Sequence, residues 1–207
     1  MSVLEAVVLG IVQGLTEFLP ISSKSHLIII PALFGWESPP IPYVVFLHAG
    51  TLLAALFYFR NEILETLEGL DRPSAGRKMI FLLAIATIPA AAVGFFFEKP
   101  ITNLFDHPAL AAGLLVVTGI ILATTETVFR SKPQTGDVEE SSFSNVEKMT
   151  AEITPAKSLF IGVAQVLALL PGISRAGSTI GAGLLAKLSR PQAARFSFMM
   201  SIPIIAG

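Results

Sequence analysis

Cysteine is absent from all 207 residues, which excludes disulfides and thiolate metal sites and leaves the redox compartment undetermined. Charge is scarce. Asp, Glu, Lys and Arg make up 14% of the chain, against roughly 25% in an ordinary soluble domain. The signs nearly cancel, to a net charge of -1, so the basic balance that would favour a nucleic-acid partner is missing. The opening "MSVLEAVVLG" lacks the basic stretch of a cleaved signal peptide, so the first segment is expected to stay in the mature protein. What fills the sequence instead is apolar: 53% hydrophobic residues and a mean hydropathy of +0.72. Such a chain could not cover itself in water.

The apolar residues fall in long runs, Ile41–Phe59, Met79–Phe97 and Ala109–Phe129. Each has about the 20 residues a helix needs to cross a bilayer, and their Gly and Pro content is tolerated there. The connection after Phe59 carries Arg60, Arg72, Arg77 and Lys78; the polar one after Phe129 carries Arg130, Lys132, Lys148 and Lys157. Between them, "EKPITNLFDH" has Lys99 alone. The positive-inside rule therefore places the first two connections in the cytoplasm and the third outside. Segment 131–155, rich in Ser, Thr, Glu and Asp, reads as a solvated, mobile cytoplasmic loop.

Two further stretches are too interrupted to span. Residues 1–19 are helical in pattern, but Pro20 and "ISSKS" break them before the short run Leu27–Phe34. Residues 158–170 are likewise cut by "PGISRAGS" before Thr179–Leu188. Each reads as a re-entrant hairpin, with broken backbone that must line protein or a wet cavity. A shift of 152 residues lays Gly10 on Gly162, Gln13 on Gln165, Leu15 on Leu167, Ile21 on Ile173, Ser22 on Ser174 and Phe46 on Phe198. An odd number of spans separates the copies, so the second is inverted, and Lys187, Arg190 and Arg195 put its end inside. The expected fold is all-α: one integral membrane domain over 1–207, with repeat one at about 1–130 and a partial repeat two at 156–207. By this symmetry two more spans are expected after residue 207.

Polar residues gather at both breaks. Gln13 and Glu17, four apart, share a helical face with Cβ atoms about 5–6 Å apart. A carboxylate inside the hydrocarbon zone is costly, so Glu17 is either functional or a structural partner of Lys24 or Arg175. Ser22, Ser23 and Ser25 follow Pro20 in a non-helical turn, where Ser25 suits the cap of a helix starting near Leu27. His26 suits acid–base or nucleophilic work, or core packing. In the second break Arg175 brings a planar fork suited to phosphate, and Gly172 and Gly177 permit close backbone approach. Ser178 and Thr179 are expected to start a helix whose N–H groups favour an anion. His48 either lines the cavity or packs in the core. These residue types fit phosphoryl transfer at a membrane; by themselves they leave an anion transporter equally open.

"QGLTEFLPISSKSH" resembles the motif (E/Q)xxxE followed by PxSSxxH, and "LPGISRAGST" resembles PGxSRSxxT. Both belong to the bacterial undecaprenyl-diphosphate phosphatases of the bacitracin-resistance type. The departures are Gln13 in place of the first glutamate and Ala176 in place of the second serine of PGxSRS. The resemblance implies a multi-pass enzyme of the bacterial inner membrane that removes the terminal phosphate of a polyprenyl diphosphate, recycling a carrier for peptidoglycan synthesis. It implies a divalent cation, Mg2+ or Ca2+, held by Glu17 with Gln13. Arg175 would neutralise the diphosphate, helped by Ser174 and Thr179, with Ser22, Gly172 and Gly177 also around the substrate. Either Ser23 or His26 would attack, with Ser23 preferred and His26 close by. The implied partners are the lipid substrate and membrane lipids, and a homodimer is compatible. The cavity is expected to open outward, with His26, Glu17 and Arg175 converging within one phosphate's reach. A lipid-diphosphate or anion flippase is the alternative.

Overall fold

The computed structural model describes residues 1–68, 70, 74–130 and 146–206, and the elements within them are all helical. The long apolar runs become α3 (Ile41–Tyr58), α5 (Ala75–Phe96) and α7 (Pro108–Arg130). All three are long and apolar enough to cross a membrane, α7 over Pro108–Thr127, and little of each is buried inside the protein. Phe46, Phe57 and Phe95 stand largely exposed on them. Apolar faces of that extent are unlike the surface of a soluble monomer and suit contact with lipid.

Two helix pairs flank these spans. In the first, α1 (Val3–Thr16) turns through 17–22 into α2 (Ser23–Phe34). A capping box closes the start of α1, Glu5 N–H donating to Ser2 Oγ and Ser2 N–H to Glu5 Oε2. In the second, α9 (Pro155–Leu167) turns into α10 (Arg175–Leu185), with Thr154 and Ser174 as N-caps. Helices α9 and α10 begin 152 residues after α1 and α2, the same offset that aligns their sequences. Short helices α4 (Arg60–Glu68), α6 (Glu98–Asn103) and α8 (Val146–Ala151) lie in the connections, a single 3-10 turn follows α6, and α11 (Arg190–Ala206) closes the chain described.

Small residues let the second pair sit close to the spans. A Cβ on Gly162 of α9 would collide with the backbone of Ala86 on α5, and Ser158 Oγ donates to the Leu82 carbonyl at 2.5 Å. At the α9–α10 turn, Gly172 takes a φ of +113°, which a side chain would resist, and its missing Cβ is what lets Leu114 and Ala111 of α7 approach. Thr118 of α7 then pins the turn, donating to the Gly172 carbonyl at 2.7 Å and accepting from Ser174 N–H at 3.1 Å.

Three local expectations are corrected. The polar segment expected over 131–155 becomes ordered at its end: 131–145 lie outside the described residues, but Val146, Met149 and Ile153 are buried in the core. Val146 and Met149 share a face of a six-residue helix and Ile153 follows it, too short a stretch to show against the polar residues around it. Ser25 does not cap a helix near Leu27. Helix α2 already begins at Ser23, so Ser25 lies inside it and donates to Ser22 Oγ at 2.9 Å. Likewise α10 begins at Arg175, not at Ser178 or Thr179, because Ser174 Oγ accepts the Gly177 N–H and caps it there.

The connections expected to be cytoplasmic meet at one end of the molecule. Lys78 Nζ donates to the Thr150 carbonyl, Val146 N–H to Glu65, Arg195 to Glu62 at 2.7 Å and Arg190 to Glu126 at 2.8 Å. Of the basic residues expected there, Arg72, Arg130, Lys132 and Lys148 fall outside the described side chains.

Candidate active site

The two turns touch. The α-carbon of Gly177 faces the Pro20 carbonyl so closely that a Cβ would stand 3.4 Å from it. Phe18 meets Phe198 of α11 edge to face, with ring centroids 5.6 Å apart. This apposition puts the C-terminal end of α1 and the first turns of α2 and α10 around one cavity of about 510 Å³. Its polar lining comprises Glu17, Ser22, Ser23, Lys24, His48, Gln165, Ser174 and Arg175, set among apolar residues of α3, α5, the α9–α10 turn and α11.

Glu17 is the centre of the constellation. Its Oε1 accepts from Arg175 Nη2 at 2.9 Å; its Oε2 accepts from Ser23 Oγ at 2.5 Å and from Gln13 Nε2 at 2.9 Å. One carboxylate thus holds a hydroxyl, an amide and a guanidinium, which answers the cost of burying it. Helical spacing places Gln13 one turn before Glu17, and the turn at Pro20 brings Ser23 back to the same oxygen. Ser22 makes that reversal with a φ of +61°, an uncommon conformation for a residue with a side chain. The ring of His26 secures it: Nδ1–H donates to the Ser22 carbonyl at 2.8 Å.

The predicted residues separate into those at the cavity and those behind it. Glu17, Ser22, Ser23, Ser174 and Arg175 line it. Gln13 stands behind Glu17, fully buried, and its Oε1 has no partner. Thr179 is fully buried as well, with its hydroxyl engaged by the Arg175 carbonyl and Ser197 Oγ. Gly172 and Gly177 serve the close approaches already described. His26 is not among the cavity-lining residues; its described contact is the one to Ser22.

Sequence reasoning gave too little weight to three residues. His48 donates from Nδ1 to the Val44 carbonyl at 2.8 Å and points Nε2 toward Glu17 Oε2, 3.9 Å away. Lys24 joins the lining and also lies over the Phe105 ring, 5.5 Å from its centre. Gln165 was visible only as the repeat mate of Gln13, yet it reaches the cavity.

Electrostatically the cavity suits an anion. Lys24 and Arg175 outnumber Glu17, and both α2 and α10 begin at its wall, presenting the positive ends of their dipoles. Arg175 Nη1 is buried and has no partner, so half of the guanidinium fork is uncommitted.

The sequence profile of the family described as Bacitracin resistance protein BacA matches residues 6–207. This chain belongs to that family. A Moorella thermoacetica protein described as undecaprenyl-diphosphatase is 43% identical over 209 residues, covering 100% of this chain and 74% of the relative. Similar proteins of the same description occur in Geobacter metallireducens, 42% identical, and Caldicellulosiruptor bescii, 41% identical. Each alignment covers 100% of this chain and 74% of the relative. In this BacA chain both family motifs therefore end at one cavity, one from each helix pair.

Proposed function

We infer that this membrane protein is an undecaprenyl-diphosphatase: it hydrolyses undecaprenyl diphosphate to undecaprenyl phosphate and inorganic phosphate. Family membership supports the activity. The contact that carries the mechanism is the 2.5 Å hydrogen bond from Ser23 Oγ to Glu17 Oε2 inside an anion-attracting cavity. A hydroxyl donating to a buried carboxylate is a nucleophile already paired with its base.

In the proposed reaction Ser23 Oγ attacks the terminal phosphorus while its proton passes to Glu17. The bond from that phosphorus to the bridging oxygen breaks, and undecaprenyl phosphate leaves with that oxygen. As a phosphate monoester it departs without needing a proton. Glu17, once it has lost its proton to the wet cavity, takes one from water as that water attacks the phosphoserine and passes it to the departing Ser23 Oγ, so inorganic phosphate is released and the serine hydroxyl restored. Arg175 offers Nη1 to the charge on the phosphoryl oxygens while Nη2 keeps Glu17 in place. Gln13 orients Glu17, and His26 orients Ser23 through the Ser22 carbonyl.

A divalent cation fits this donor set only in partnership with substrate. Glu17 supplies one carboxylate and Gln13 Oε1 is a buried acceptor without a partner, but no cluster of three or more His, Cys, Asp or Glu exists among the described residues. Hard cations bind such sparse sites by sharing phosphate oxygens. Glu17 would hold the ion at the cavity, with Gln13 supporting the carboxylate from behind; the ion when bound neutralises phosphate charge.

The repeat offset of α1–α2 and α9–α10, together with the odd number of spans between them, supports an inverted pair of re-entrant hairpins in the inner membrane. The cavity takes Val44 to Leu52 from the first two thirds of α3 and Ala90 from the last part of α5, the halves distant from the Arg195–Glu62 end. That supports an opening to the outer face, where cell-wall synthesis releases the diphosphate.

The nucleophile is tested by rapid quenching with substrate labelled in its terminal phosphate. Wild type should retain acid-stable, alkali-labile protein label, and Ser23→Ala should retain none. Acid-labile label that persists in Ser23→Ala and vanishes in His26→Ala would transfer the role to His26.

A further inference from the structure

The two helix pairs place a glutamine at the same point of the repeat, but only one of them has a hydrogen-bond partner. Gln13 gives its Nε2 to Glu17, one turn later. One turn after Gln165 the corresponding residue is Leu169, which offers no acceptor. Gln165 is 2% exposed, and neither its Nε2 nor its Oε1 has a hydrogen-bond partner. Buried side-chain amides are seldom left with both ends unmet, and such an exception calls for a cause.

The cause lies in where this residue sits. Gln165 lines the same cavity as Glu17, Ser23 and Arg175, among the apolar side chains of Ala168, Leu169 and Ile173. Arg175, which also lines that cavity, has a second buried donor without a partner, Nη1. Two unmet donors on residues that line one cavity point to a ligand rich in acceptors, reached by a small turn of either side chain, and a diphosphate carries several non-bridging oxygens.

We propose that Gln165 is a substrate-binding residue, donating from Nε2 to a non-bridging oxygen of the diphosphate beside Arg175. Its Oε1 accepts from a water held against the same group. The loss of a carboxylate at position 169 is what frees this amide: repeat one uses its glutamine to hold the base, and repeat two uses the equivalent glutamine to hold the substrate. This inference rests on the diphosphatase reading and adds a contact to it.

Gln165→Leu separates this from a structural role. Leucine removes both unmet polar atoms and fills similar space, so a merely structural glutamine should be replaced with turnover intact. The proposal requires a thermal midpoint unchanged or raised in the empty protein, with kcat/KM lower by about tenfold to a hundredfold, the range for one lost hydrogen bond to a charged group. Inorganic diphosphate should raise the midpoint of wild type more than that of the variant. Gln165→Met, unbranched and of similar length, should behave the same way and guards against a folding defect peculiar to leucine. Wild-type turnover and an undiminished response to inorganic diphosphate in either variant would overturn the assignment. The reading beneath it is judged separately: wild type that releases no phosphate from a polyprenyl diphosphate refutes the phosphatase, while the inorganic-diphosphate shifts still decide what Gln165 does.

Discussion

Replacing Arg175 by lysine tests whether the site needs a fork or only a charge. The guanidinium performs two tasks with two nitrogens: Nη2 holds Glu17 at 2.9 Å, and Nη1 is left for the ligand. An ammonium is a point charge on a flexible stem and cannot meet both directions at once. In Arg175→Lys it should settle on Glu17 in the empty protein, so stability changes little. In the transition state one charge-assisted hydrogen bond is then missing. Such a bond contributes about 1.5–3 kcal/mol, which at about 1.4 kcal/mol per factor of ten lowers kcat/KM by about 10- to 150-fold. Arg175→Ala differs in kind, because it leaves the Glu17 carboxylate, 7% exposed, without its cation. Breaking a buried pair this way destabilises by about 3–5 kcal/mol, here toward the lower end since the cavity can hydrate. Phosphate release in detergent reads the first effect, and thermal unfolding followed by the single tryptophan, Trp36, reads the second. Lysine turnover within about threefold of wild type would show that charge alone suffices, and the bidentate argument would fail.

Two further outcomes are expected. Glu17→Gln removes both the proton acceptor and the anionic ligand, so activity should fall by about a hundredfold or more; chelators should then have little additional effect, and full chelator sensitivity in that variant would place the cation elsewhere. Cysteines introduced into this cysteine-free chain should react with an impermeant reagent in intact cells at Asp106 and stay protected at Glu152; labelling at Glu152 from outside would reverse the orientation.

Much of the site was legible because polar residues are expensive in an apolar chain. Glu17, Ser23 and Arg175 stood out in the sequence for that reason, and the three meet within hydrogen-bond distance in the structure. Gln165 was equally polar but its meaning lay in an absence, the missing carboxylate at Leu169, which becomes informative only when the amide is seen to have no partner. His26 shows the opposite limit: its position in the motif suggested direct chemistry, and its ring contact is with the backbone of the turn. The spans followed from length and hydropathy alone. Helix α8 did not, since Val146 and Met149 are two apolar residues whose face is defined only by the α4 and α5 surfaces they cover.

Polar ties are gathered where the connections meet: Lys78 to Thr150, Glu65 to Val146, Glu62 to Arg195 and Glu126 to Arg190 join five separate stretches of chain at one end. The bundle is therefore fastened like a book at its spine. At the other end the ties lie around the cavity itself, Arg175 to Glu17 and Thr118 to Gly172 among them, so a ligand that engages Arg175 acts on the contacts holding that end together. A long prenyl tail would leave that cavity past the apolar faces that α3 and α5 expose, with the ties at the spine undisturbed.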